Sequence, residues 1–404
     1  MSKQDSYKRN IIKHLYFSGQ LSCAELSQLT DKSLPLTTKV LNELIEEGSV
    51  QELGYALSTG GRRPQTYSLK SDLMYVVAVA MDQLITRMAI VDMRNNLIGQ
   101  VEKVELTLNN NPKAAEELRK NILKFIEKST IPKSKIAGIG IGMPGFIDVL
   151  KGINHSFLKI SEGSIVSYIE SEVGLPVLID NDSSLIALAE LRLGEAKNRQ
   201  NVMVININWG VGLGMILNGE LFRGYNGFAG EFSHIPLFTN NKMCSCGKSG
   251  CLETETSLLV VAEKAVEGLK KGKVSRLKNL VLENIEETAA AIMDAADKGD
   301  KFAVELFSEA GYNIGRGVAI LIHLLNPELI VLSGRGAGVG KLWLAPIQQA
   351  INEHCIPKIA ENTEIKISSL GFQAELIGAA ALVMENFDML DSALEKKSFD
   401  DVVA

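Results

Sequence analysis

The 404-residue sequence predicts an α/β protein: a body of two similar lobes, preceded by a small helical head that ends in a β-hairpin. Three observations predict it. The chain is longer than the ~100–200 residues of one ordinary domain. Its texture changes near Leu73, from short amphipathic helical stretches to β-rich segments. Within the body, one order of elements, three strands then helix then buried strand, occurs twice.

The head is placed at residues 1–70. Ile11, Ile12, Leu15 and Tyr16 share one face of a helix over 7–18, which Gly19 can end. Ser22 and Glu25 form the spacing of a capping box, opening a second helix that runs through Leu29. A third begins near Ser33-Leu34-Pro35, where proline suits a first turn, and continues through Val40, Leu41, Leu44 and Ile45 to Gly48. Extended stretches at Val50–Leu57 and Thr66–Leu69 then flank Ser58-Thr59-Gly60-Gly61-Arg62-Arg63-Pro64, a glycine-rich basic tip.

Three short helices and a hairpin make a winged helix-turn-helix. In that arrangement the third helix presents Leu36, Thr37, Thr38, Lys39 and Asn42 to the major groove of DNA, and Arg62 and Arg63 reach a narrow minor groove. The alternative is a small helical protein-interaction module. Glu43, Glu46 and Glu47 favour that alternative unless they lie away from the N-terminal turns of the third helix.

The whole-chain net charge of −6 speaks against nucleic acid only if charge is spread evenly. It is not: residues 1–70 carry nine Lys and Arg against seven Asp and Glu, a net of +2, and the remainder carries −8. Hydrophobic residues at 46% and charged residues at 22% exclude a disordered or low-complexity chain. No stretch approaches the ~18 apolar residues of a membrane span, and MSKQDSYKRN lacks the apolar core of a secretory signal. A cytoplasmic protein without a membrane partner is expected.

The body, residues 71–404, opens with strands at Met74–Met81, Thr86–Asp92 and Leu97–Leu106, an antiparallel meander. A helix over 112–128 and a buried strand at Ile136–Ile141 follow. The order recurs with strands at Asn201–Asn208, Gly212–Leu217 and Glu220–Phe222, then helices and the buried strand Leu329–Leu332. Two such lobes imply a cleft, where ligands commonly lie. Leu178-Ile179-Asp180-Asn181-Asp182-Ser183 reads as a strand ending in polar residues just before a helical run at Leu185–Leu193. Asn181 and Asp182 there are either a helix cap or the mixed donors and acceptors that sugar hydroxyls need.

Of five cysteines, Cys244, Cys246 and Cys251 lie within eight residues, with His234 ten residues upstream of Cys244. Three thiolates and one imidazole are the set of a closed tetrahedral structural zinc site, and a reducing compartment argues against a disulfide. Such a site has no open position for water, so the zinc is expected to brace a loop. Glu231 and Glu253 flank it and would be aimed into the cleft.

The run Gly230-Glu231-Phe232-Ser233-His234, followed by Cys244-Ser245-Cys246-Gly247-Lys248-Ser249-Gly250-Cys251-Leu252-Glu253, resembles the signature of the ROK family of repressors and sugar kinases. Pro144-Gly145-x-x-Asp148, Asn181-Asp182, Gly210-Val211-Gly212-Leu213-Gly214 and Ser333-Gly334-Arg335-Gly336 extend the likeness over the whole chain. The resemblance implies an actin-like, ribonuclease H-like body of two lobes. It implies that Asn181, Asp182, Glu231, His234 and Glu253 contact sugar, and that His234, Cys244, Cys246 and Cys251 hold zinc. In kinase members Asp182 would be the general base.

The departures from the kinase pattern favour the repressor branch, whose members with a winged helix include the N-acetylglucosamine and xylose repressors. Where kinases carry Asp-x-Gly-Gly-Thr to let backbone N–H groups approach phosphate, this chain has Asp82-Gln83-Leu84-Ile85-Thr86. Asn208-Trp209-Gly210 stands in the second phosphate loop, Arg335 replaces a usual glycine, and Ser233 replaces the glycine of Glu-x-Gly-His. The expectation is a non-enzymatic, sugar-responsive regulator, binding operator DNA as a homo-oligomer with a sugar or sugar phosphate as effector. The rivals are a sugar kinase with an appended head, and a regulator that binds a transporter component.

Overall fold

A computed structural model describes residues 3–55 and 64–390. By its internal packing the chain forms two compact units, residues 1–182 with 376–404, and residues 183–375.

The first unit begins with the head. Helix α1 (Lys3–Ser18) buries Tyr7, Ile11, Ile12, Leu15 and Tyr16, the face the sequence marks, and starts earlier than expected because its first turn is polar. Strand β1 (Leu21–Ser22) runs into α2 (Cys23–Leu29), where Ser22 and Glu25 close the capping box in both directions. Helix α3 (Leu34–Glu46) has proline in its first turn, as expected. Strands β2 (Val50–Tyr55) and β3 (Gln65–Leu69) form the hairpin, and β1 adds to β3 to give a three-stranded sheet. The tip between them, with Arg62 and Arg63, lies outside the described residues.

The first lobe follows with β4 (Tyr75–Met81), β5 (Ile85–Asp92) and β6 (Leu97–Glu105), the expected antiparallel meander. Helix α4 (Ala114–Lys128) leads to β7 (Ile136–Met143), parallel to β4. A small ribbon of β8 (Ile147–Asp148) and β9 (Ile153–Asn154), helix α5 (Ile165–Val173) and strand β10 (Val177–Asn181) complete it. The sheet order is β10-β7-β4-β5-β6. One side of that sheet packs Val77, Val79, Ile139, Ile141 and Ile179 with Leu118, Ile122 and Ile169 of α4 and α5 into a continuous core.

Helix α6 (Asp182–Leu193) crosses into the second unit. There β11 (Val202–Ile207), β12 (Val211–Leu217) and β13 (Glu220–Phe222) repeat the meander. The helical layer is α7 (Glu253–Thr256), α8 (Leu258–Lys270), α9 (Ile285–Asp297) and the 25-residue α10 (Lys301–Leu325). Strand β14 (Leu329–Ser333) pairs parallel with β11, and α11 (Leu344–His354), α12 (Pro357–Ala360) and β15 (Glu364–Ile367) follow.

The second sheet, β13-β12-β11-β14-β15, has the same connectivity as the first, read from its β6 edge: counting only the strands of each five-stranded sheet in chain order, third, second, first, fourth and fifth. The internal repeat read from the sequence is therefore a repeat of topology. Helix α13 (Ala374–Glu385) returns the chain to the first unit. It lies so close on β7 that a Cβ on Gly140 would stand 1.9 Å from the Ala379 carbonyl oxygen, which only glycine permits. Among the described residues no helix is long and apolar enough to cross a membrane.

Candidate functional site

In the head, α3 exposes Leu36, Thr38, Lys39 and Asn42. Thr37 corrects the sequence reading: it is fully buried, and its Oγ1 bonds the Ser33 carbonyl at 3.1 Å and the Tyr7 hydroxyl at 2.7 Å. Four consecutive helical residues at 100° each cannot share one face, and Thr37 is the one turned inward. Two of the three glutamates that argued against DNA are occupied elsewhere. Lys8 of α1 pairs with Glu43 at 3.1 Å and also with Glu47, and Gln4 donates to Glu43 at 2.6 Å. These contacts hold the Glu43 carboxyl below its ordinary range.

In the first unit, Asn181 ends β10 and Asp182 opens α6, both half-buried. The Asn181 side-chain amide donates to the Gly145 carbonyl at 3.2 Å, which ties it to the loop after β7. The Asn181 N–H is taken by the Asp180 carboxylate at 2.8 Å.

In the second unit, His234, Cys244, Cys246 and Cys251 converge, with one ligand atom from each lying within 4.8 Å of all the others. His234 Nδ1 stands 3.6 Å from Cys244 Sγ, and Cys246 Sγ stands 3.6 Å from Cys251 Sγ. A tetrahedral metal with thiolate bonds near 2.3 Å has ligand-to-ligand edges of about 3.8 Å, so the donor set and its spacing fit one closed metal site. The loop is shaped for it. Short bridges join Pro236 to Cys251 and Met243 to Ser249, and Gly250, with φ of 76°, packs so tightly that a Cβ would stand 2.0 Å from Phe238 O. Without a cation burial pushes the Cys251 thiol up to about 12, helped by its thiol neighbours. A metal reverses that by binding the thiolate.

Both flanking glutamates join this cluster. Glu231 Oε2 lies 3.6 Å from His234 Nε2. Desolvation pushes the Glu231 carboxyl above its ordinary value, with His234 opposing and Glu253 adding to the rise. Glu253 Oε1 lies 3.4 Å from Ser245 Oγ and 3.7 Å from Cys244 Sγ, while its Oε2 accepts from Val211 N at 3.3 Å. The metal loop and the β11–β12 turn are thus joined through one carboxylate.

The 82–86 turn and the β11–β12 turn both carry internal hydrogen bonds. Asp82 Oδ1 accepts from Leu84 N and Ile85 N, each at 2.8 Å. In the β11–β12 turn, Asn208 N donates to Gly210 O at 2.8 Å and Val211 N to Glu253. Over this turn Arg335 is sandwiched between Trp209 and Phe372, its guanidinium carbon 4.4 and 4.1 Å from the ring centres. It also bonds Asn208 Oδ1 at 3.2 Å and Glu286 Oε1 at 2.9 Å. Phe372 and Glu286 were not legible as site residues, since neither is near Arg335 in sequence.

The sequence model of the ROK family matches residues 81–386. A xylose repressor from Caldicellulosiruptor bescii is 31% identical over 391 residues, covering 94% of this chain and 95% of its own length. The DNA-binding transcriptional dual regulator NagC of Escherichia coli is 28% identical, covering 93% and 92%. A glucokinase from Halalkalibacterium halodurans is 35% identical over 266 residues, 65% of this chain and 81% of its own. Among solved structures, a ROK family transcriptional regulator described as a homolog of the E. coli MLC protein superposes with a TM-score of 0.74 at 24% identity, covering 95% of this chain and 98% of that one.

Proposed function

The chain belongs to the ROK family, and from that premise we propose that it is a sugar-responsive transcriptional repressor. Its head, residues 1–70, binds operator DNA, with Leu36, Thr38, Lys39 and Asn42 of α3 in the major groove and Arg62 and Arg63 at the wing. Its body, residues 71–404, takes a sugar or sugar phosphate as effector through Asn181, Asp182, Glu231, His234 and Glu253. A homo-oligomer presents two heads to a two-fold symmetric operator. The observation that carries this reading is that likeness to xylose and N-acetylglucosamine regulators runs over more than nine-tenths of the chain, head included.

The metal is zinc, held by His234, Cys244, Cys246 and Cys251. Closed by four protein ligands, it supplies rigidity to the loop carrying Glu231 and Glu253 and no activated water. An effector acts by binding one DNA-affinity state better than the other, and a difference of about 1.4 kcal/mol shifts operator affinity about tenfold.

A second reading, a sugar kinase with an appended head, is favoured by Asp182 and by the glucokinase relative. Against it stand the internally bonded donors at Leu84, Ile85 and Val211 and the filled space around Arg335. Phosphoryl transfer relies on positioning and charge stabilisation of phosphate, which needs free donors. Incubation with ATP, magnesium and a panel of hexoses separates the two: no turnover is expected, and turnover abolished by Asp182→Asn overturns the repressor reading.

A further inference from the structure

Helix α1 of the head carries two side chains that meet the body. Arg9 and Lys13, one turn apart on it, both reach the end of α13. Arg9 Nη1 donates to Phe387 O at 2.9 Å, and its guanidinium carbon lies 5.0 Å from the Phe387 ring centre. Lys13 Nζ donates to Glu385 O at 2.5 Å and pairs with the Glu385 carboxylate at 3.3 Å, both side chains largely shielded from solvent. The last carbonyls of a helix lack partners within it and carry the negative end of its dipole, so two cations placed there complete the helix end. A turn along α1, Tyr16 is buried, and burial with the nearby Asp92 of β5 holds its phenol protonated.

Helix α13 is seated on β7 with little slack. Besides the contact at Gly140, a Cβ on Gly138 would stand 3.2 Å from Val383 Cγ1, two residues before Glu385. Strand β7 leads to Gly145, whose carbonyl holds Asn181. On the other side α1 is joined to α3 through Tyr7 with Thr37 and Lys8 with Glu43. Asn181, β7, α13, α1 and α3 are therefore consecutive contacts within one compact unit.

We propose that Arg9 and Lys13 form a latch fixing the head to the C-terminal end of α13, so that a shift of α13 on β7 is delivered to α3. The proposal gives the repressor reading its route from body to head, and rests on that reading for its purpose. Adjacency alone does not demonstrate coupling, so the test is a cycle of variants.

Amide hydrogen exchange is followed by mass spectrometry in the full chain, without DNA or sugar, for the wild type, Arg9→Ala/Lys13→Ala, Gly138→Ala and the triple variant. The double variant is expected to exchange about tenfold faster in α1 and in 383–389, with β4, β5 and α3 unchanged. Gly138→Ala, whose Cβ would stand 3.2 Å from both Val383 Cγ1 and the Pro176 carbonyl oxygen and so presses on α13 as well as on the segment before β10, is expected to speed exchange in α1 only while the latch is intact. Glu385→Gln, which removes the carboxylate paired with Lys13 and keeps the backbone carbonyl that Lys13 also reaches, is expected to loosen α1 without any substitution in the head.

Unchanged α1 exchange in the double variant overturns the proposal. So does an effect of Gly138→Ala on α1 that persists undiminished in the triple variant, or that is absent with the latch intact. Loss of protection throughout α2 and α3, in the double variant and in Glu385→Gln alike, also overturns it, because the contacts would then belong to the head's own fold. DNA takes no part in the readout, so a head that fails to bind DNA leaves this result standing.

Discussion

The guanidinium carbon of Arg335 lies over the Trp209 ring, 4.4 Å from its centre, and over the Phe372 ring at 4.1 Å. A cation held this way, and paired with Glu286 at 2.9 Å while only 10% exposed, is part of the packing of the second unit. Arg335→Ala removes two ring contacts, the ion pair to Glu286 and the bond to Asn208, which should cost about 2 kcal/mol. Urea unfolding followed by tryptophan emission checks this, in a Trp343→Phe background so that Trp209 is the remaining reporter. A loss under about 0.5 kcal/mol would place the arginine among ordinary surface side chains.

The four-ligand cluster predicts one zinc per chain in protein never exposed to chelator, by elemental analysis. At a thousandfold excess of metal over its dissociation constant, binding stabilises the fold by about 4 kcal/mol, so chelation should lower the melting temperature by many degrees. Cys246→Ser, at the exposed ligand, should lose the metal while the second sheet still forms. Full metal retention in that variant would remove Cys246 from the site.

Thr37 and Lys39 are neighbours on α3 with opposite duties. Thr37→Val deletes the buried bond to Tyr7 and should destabilise the head by about 1 kcal/mol while leaving base preference intact. Lys39→Ala should leave stability unchanged, weaken DNA binding evenly across sequences and reduce the salt slope by about one. Reversal of the two outcomes would mean that the DNA-facing side of α3 has been misread.

Glu190 on α6 is fully buried, and its carboxyl takes hydrogen bonds from Ser333 Oγ at 3.0 Å, from Glu195 N at 3.0 Å and from Ser368 Oγ. Burial pushes it above the ordinary 4.5, against the pull of those bonds. A raised acid binds protons more readily folded than unfolded. Its contribution is therefore complete below 4.5 and is lost as pH climbs through the raised value. Glu190→Gln, measured by unfolding from pH 4 to pH 8, should flatten that decline, and an undiminished decline would assign it to other groups.

How legible all this was in the sequence follows from how local each signal is. The Ser22–Glu25 capping box, the proline of α3 and both meanders were readable because each is written within a few residues. Strand β1 was not, since two residues carry no period, and its partners in β3 are Tyr67 for Leu21 and Thr66 for Ser22, far along the chain. Thr37 was misplaced because the reading took a window of α3 and not its phase. The clustering of His234 with Cys244, Cys246 and Cys251 was legible by residue type and spacing, whereas the partners of Arg335 and the return of α13 onto β7 are set only by tertiary packing. The loss of the kinase glycines at 82–86 was legible in sequence, whereas the bonds from Leu84 N and Ile85 N to Asp82 were not.

Fluorescence anisotropy of the full chain on a duplex from upstream of its own gene, against a shuffled duplex of equal composition at 150 mM salt, tests the central claim most directly. The account predicts binding about a thousandfold tighter to the native duplex. It also predicts that the difference shrinks when a cognate sugar or sugar phosphate from a panel is added. Equal affinity for the two duplexes would contradict it.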